Sequence, residues 1–143
     1  MSVIVTDKGF HKENWDKGFI PWDQATETNW HRAAGYALDL PNTASADQVL
    51  PFFPFVEMIR IAFPSSADGR GFSIARHLRQ LGFEGRLRAF GHVLADQYTM
   101  ARRSGFDEVE IDDALATRQP EDQWLFRSDW KAHDYQARLR AGL

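Results

Sequence analysis

"EMIRIAFPSSADGRGFSIARHLRQLGFEGRLRAFG", Glu57 to Gly91, decides the fold. It opens on an apolar run, "EMIRIAF", crosses a polar loop holding Asp68, Gly69, Arg70 and Gly71, and enters a stretch of helical period. There Ile74, Leu78 and Leu81 recur at i, i+4 and i+7 with Ala75 beside them, one face of an amphipathic helix that Gly82 ends. A second apolar run, "GRLRAFG", follows at once. Strand, helix and strand in this order make a βαβ unit, whose right-handed crossover sets the two strands parallel.

Working outward, the alternation continues. Upstream, "YALDL" reads as a strand, and Thr43 or Ser45 in "PNTAS" can cap a helix over "ADQVLPFFPFV" that Pro51 and Pro54 keep short or kinked. Downstream, "HVLADQYTMARRSG" puts Leu94, Tyr98 and Ala101 on one stripe before Gly105, and "FDEVEID" alternates Phe106, Val109 and Ile111 imperfectly with acids. The expected fold is α/β: about four parallel strands alternating with helices, as a small open parallel sheet or, preferably, as half of a (βα)8 barrel. "SVIVT" and the turn "DKG" predict an N-terminal strand or hairpin arm. Residues 1–36 are otherwise read as irregular, with a helix over Thr26–Ala34; residues 37–115 form the βα core of a single domain spanning 1–143. Residues 116–143 are expected to be a helical tail in two pieces broken near Pro120. Its Trp124, Phe126, Trp130 and Tyr135 either pack on the domain itself or make a homodimer contact.

Composition narrows the function. The 143 residues carry 17 basic and 20 acidic side chains, interspersed, for a net charge of −3, which argues against nucleic acid or an anionic membrane as partner. With no cysteine, disulfides, thiolate metal ligation and thiol redox chemistry are excluded for this chain. Neither a signal peptide nor an apolar run of membrane-spanning length is recognisable, so a cytoplasmic protein is expected.

Parallel strands bring their following loops to one edge, where ligands bind. The "FPSSADGRGFS" loop is the richest of these. Gly69 and Gly71 admit backbone conformations closed to other residues, and Ser73 with the first helical amides can receive an anion that Arg70 completes with a bidentate fork. Asp68 can orient Arg70, cap the helix, or serve as a general acid or base. Equally, the loop can be only a corner, with Asp68 and Ser73 as caps and Arg70 solvated. "DGRG" is neither a dinucleotide nor a nucleoside-triphosphate motif, and no cofactor is identifiable. In the next loop, His92 and Asp96 at i, i+4 are further catalytic candidates, accompanied by Gln97, while a metal site is not expected. Arg88 is expected to reach a loop carboxylate such as Asp68 or Asp96 if buried.

The ordered set from Phe63 to Ile111, namely "FP", "DGRG", "SIARHLR", "GRLRA", "VLADQ" and "GFD", resembles the DUF934 family of uncharacterised bacterial proteins. That resemblance implies a role beside assimilatory sulfite reduction, in sulfate-to-cysteine metabolism, with sulfite reductase components as partners and an oxidoreductase label that rests on association. It puts Asp68, Gly69, Arg70, Gly71, Ser73, Arg76, Arg88, Asp96 and Gln97 at the recurring polar positions. The chain departs from the pattern at Ser65, where a lysine is expected, at His92, where an aspartate is usual, and at Ser104, where a cysteine commonly stands. The expectation is an accessory protein binding a small anion or anionic cofactor group through Asp68, Gly69, Arg70, Gly71, Ser73, Arg88 and Gln97. The alternative is a structural adaptor or dimeric partner with no chemistry of its own, and whether the chain is an enzyme stays open.

Overall fold

The computed structural model describes residues 2–27 and 35–131. Its elements are β1 (Ser2–Thr6), β2 (Gly9–His11), β3 (Phe19–Pro21), α1 (Trp22–Glu27), β4 (Tyr36–Leu40), α2 (Ala46–Val49), β5 (Val56–Phe63), α3 (Arg70–Gln80), β6 (Arg86–Gly91), α4 (Tyr98–Ser104), β7 (Glu108–Asp112), α5 (Asp113–Arg118) and α6 (Glu121–Leu125). The strands form one seven-stranded open sheet in the order β2-β1-β7-β6-β5-β4-β3. β3 to β7 run parallel in chain order, whereas β1 pairs antiparallel with both β7 and β2.

The α/β expectation holds, and three of its details are corrected. The sheet is mixed and not all-parallel, because the expected N-terminal hairpin, β1 and β2, joins it through the antiparallel pairing of β1 with β7. It is open, with edges at β2 and β3, so the half-barrel preference gains no support. The parallel part also holds one strand more than expected, β3, a three-residue strand in a segment without visible alternation. α1 spans Trp22–Glu27 and overlaps the helix expected over Thr26–Ala34 at its first two residues, while residues 28–34 fall outside the described residues.

Strand alternation sorts the side chains onto two faces. Ile59, Ile61 and Phe63 of β5, Leu87 and Ala89 of β6, and Val109 and Ile111 of β7 join the hydrophobic core with Ile74, Ala75 and Leu78 of α3, Ala101 of α4, Leu115 of α5 and Trp124 of α6. Ser45 stands at the α2 N-cap with no side-chain cap bond, and Pro51 and Pro54 turn the continuation into a 3-10 stretch over Leu50–Phe55. Gly105 ends α4 at φ 112, its N–H reaching the carbonyls of Ala101 and Arg102, a left-handed stop that favours glycine. The expected break at Pro120 separates α5 from α6.

The other sheet face carries Arg60, Arg86, Arg88, Glu108 and Glu110, and residues 12–18 cross it from β2 to β3. Its charges pair almost entirely with one another. Arg88 is fully buried and bonds Glu108, Glu110 and Glu13 at 2.5, 2.9 and 2.6 Å. Arg60 bonds Asp39 and Glu110 at 2.8 and 3.0 Å, with its guanidinium over the rings of Phe19 and Phe90.

Candidate functional site

The C-terminal ends of β4 to β7 meet at one edge, and the loops leaving them carry most of the predicted residues. In the β5–α3 loop, Asp68 and Arg70 form a two-residue clasp. The Asp68 carboxylate accepts from the Arg70 N–H (3.2 Å), Nε (3.0 Å) and Nη2 (2.7 Å), and from Asn42 Nδ2 (2.7 Å) of the β4–α2 loop. The Arg70 side chain, then its backbone N–H, hold this carboxyl well below the usual range. Asp68 therefore orients Arg70, and the N-cap position belongs to Gly69. Arg70 is 61% exposed, and among the described residues its Nη1 has no partner. With Ser73, Asn42 and Thr43 it lines a notch of about 370 Å³ on the helix side of the rim.

The glycines serve the loop differently from expectation. Neither Gly69 nor Gly71 adopts a positive φ, so no backbone conformation closed to other residues is in use. Gly71 is needed for proximity: a Cβ there would stand 2.5 Å from Phe63 Cζ, so its absence lets the first turn of α3 sit on the end of β5. Gln97 braces the rim, donating to the Ser66 carbonyl at 2.8 Å and accepting the Leu94 N–H at 3.0 Å.

Two expectations are overturned by geometry. Arg88 does not approach Asp68 or Asp96; it alternates onto the opposite sheet face, among glutamates. Burial works to lower its pKa, but the hydrogen bonds and charges of Glu13, Glu108 and Glu110 outweigh that and raise it. His92 and Asp96 share no helical face, because residues 92–94 are not helical and 95–97 form a single 3-10 turn. Asp96 pairs with Arg127 at 3.1 Å, while His92 lines a separate cavity beside Phe90. Trp124 is buried in the core and donates to the Gln119 carbonyl, which agrees with the reading in which the tail packs on the domain itself. Trp130 lies over Arg102 and donates to Asp7 at 3.2 Å, Phe126 remains 78% exposed, and Tyr135 lies outside the described residues. Ser104 is buried in α4 with its hydroxyl on the Met100 carbonyl, away from the rim.

Sequence reasoning missed the open-face network of Glu13, Asp39, Arg60, Arg86, Glu108 and Glu110. A signal was present: Arg86 and Arg88, then Glu108 and Glu110, recur at i, i+2 opposite the core positions of their strands. It also missed a groove above that network. Two cavities of about 430 and 270 Å³ meet at Ala62, one walled by Trp22, Asp23 and Asp39, the other by Phe90, His92 and Asp112. The rim thus offers two chemically different places: a notch with a clamped arginine, and a groove of carboxylates and rings. Asp68 and Asp96 are each held by an arginine and His92 stands apart, so these candidates assemble no acid–base pair.

A model of bacterial proteins of unknown function, DUF934, matches residues 37–142. The chain belongs to the DUF934 family. No curated protein and no solved structure matches it. The DUF934 match runs from Ala37 in β4 past α6, hence takes in the Asp68–Arg70 clasp, the notch and, of the Arg88 network, all but Glu13, and leaves out the hairpin, residues 12–18, β3 and α1. Among the described residues of this DUF934 chain, no helix is long and apolar enough to cross a membrane.

Proposed function

We propose that this DUF934 chain is an accessory protein of assimilatory sulfite reduction that holds a small oxyanion in the rim notch. One observation carries the reading: Arg70, oriented through Nε and Nη2 by Asp68, keeps Nη1 unpartnered at a notch it shares with Ser73 and Thr43. A guanidinium whose rotamers are already restricted loses less freedom on binding an oxyanion. Asp68 also places a negative charge beside the site, so binding is weak and needs the hydroxyls as well. The sulfite context comes from the family resemblance, and the absence of cysteine excludes thiol chemistry by this chain. Thermal-shift titration with sulfite, sulfate and phosphate tests it. Stabilisation at millimolar oxyanion, absent with chloride at matched ionic strength and absent in Arg70→Gln, is expected; equal shifts in wild type and Arg70→Gln would refute it.

The open-face groove favours a second reading, the structural adaptor. There the functional contact is a protein partner, for which sulfite reductase components are the candidates, and the notch is a corner.

A further inference from the structure

We infer that the open-face groove is a docking site for an extended, basic segment of a partner protein, with lysine or arginine at i and i+4 flanking an apolar residue at i+2. This deepens the adaptor reading and rests on it, not on the oxyanion reading. The floor of the groove is Ala62 and Phe90, cross-strand partners on β5 and β6, and Phe90 is 36% exposed, a large ring left partly bare on a sheet face. At one end stand Asp23 and Asp39, at the other Asp112.

The charge there is unbalanced. Arg60, the cation beneath, is already shared between Asp39 and Glu110. Asp23 accepts the Gln24 N–H and Asp112 accepts the Leu115 N–H, each through one oxygen, leaving the other without a partner among the described residues. An oxyanion would be repelled. A second copy would present the same carboxylates face to face, so charge also disfavours self-association through this surface.

Spacing gives the pattern. From Asp39 on β4, which lines one cavity together with Asp23 of α1, to Asp112 on β7 the groove crosses three strand intervals, roughly 14 Å at ~4.8 Å each. An extended segment advances about 13 Å over four residues and turns i, i+2 and i+4 to one side. Two basic residues at i and i+4 therefore reach the two acidic ends while the middle side chain covers Ala62 and Phe90.

The probe is the peptide acetyl-GKSLSRG-amide, titrated into the full chain and followed by amide and indole NMR shifts. Saturable shifts at Ala62, Phe90, Asp112 and the Trp22 indole are expected, weakened by added salt, with acetyl-GESLSEG-amide producing none. The double variant Asp23→Asn, Asp112→Asn should weaken binding about tenfold or more; asparagine still caps α5, so an unchanged melting temperature verifies the fold. Phe90→Ser is the second variant and should also weaken binding, while Arg70→Gln should leave it unchanged, which separates this site from the notch. No saturation at about 1 mM peptide, equal binding of the acidic peptide, or binding unmoved by the double variant would overturn the inference. A dimer of the chain that Phe90→Ser dissolves would overturn it as well, by making a second copy the occupant.

Discussion

Arg88 shows how much one residue can be constrained by its surroundings. Its guanidinium is fully buried and bonded to three glutamates, Glu108, Glu110 and Glu13. Removing the cation leaves Glu108 to Arg86 alone and Glu110 to Arg60 alone, both still largely desolvated, so Arg88→Met should destabilise the chain by about 3 kcal/mol, measured by urea denaturation. Gly71 is constrained by proximity instead. Gly71→Ala drives a Cβ to 2.5 Å from the Phe63 ring, and a loss of about 1–3 kcal/mol is expected, relieved when Phe63→Leu is combined with it. A Gly71→Ala protein as stable as the wild type would contradict that packing.

Among elements, the β1–β2 turn and the segment over residues 12–18 depend on carboxylates. Asp7 in the turn accepts from the Tyr98 hydroxyl, from Arg102 and from the Trp130 indole, tying the hairpin to α4. Burial works to raise its pKa, yet the bonds from Tyr98, Trp130 and Arg102 win and lower it below the ordinary value of 3.8. Glu13 behaves alike: burial raises its pKa, and the bonds from Arg88 and the Trp15 N–H bring it below 4.5. Groups with depressed folded-state pKa values contribute their full stability above the unfolded value and lose it as pH falls. The chain should therefore hold its melting temperature down to about pH 5 and lose it progressively below about pH 4.5, and the loss should be shallower in Asp7→Asn and Glu13→Gln. Asp7→Ala at neutral pH should cost about 1–3 kcal/mol, since it leaves the buried Tyr98 hydroxyl without that acceptor. Legibility differs sharply between elements. α3 was readable because Ile74, Leu78 and Leu81 repeat at helical spacing and Gly82 stops it. β3 was not, because three residues give no period, and its strand character comes from pairing with β4. The helix read over "HVLADQYTMARRSG" lacks its first turn because the backbone is extended at Leu94, the N-cap of a single 3-10 turn over Ala95–Gln97, with the His92 N–H on the Phe63 carbonyl.

For the whole molecule, consecutive parallel strands put the helices on one face and leave the other to charged side chains and residues 12–18. The sequence foretold that loops would converge at one edge, and Asp68, Arg70 and Ser73 do stand there with Asn42 and Thr43. Arg88 was misplaced because facing direction on a strand follows from register with its neighbours, and Glu108 and Glu110 on β7 supply partners that no local pattern links to it. The groove was illegible for a similar reason: Trp22, Phe90 and Asp112 come from separate parts of the chain, joined only by sheet order. The central claim is that the clamped Arg70 is a ligand group and not a corner. It is tested most directly by titrating sulfite into the labelled protein and following backbone amide shifts. The account predicts saturable shifts at Asn42, Thr43 and Ser73 that vanish in Arg70→Gln; shifts confined to other surfaces, or unchanged in that variant, would contradict it.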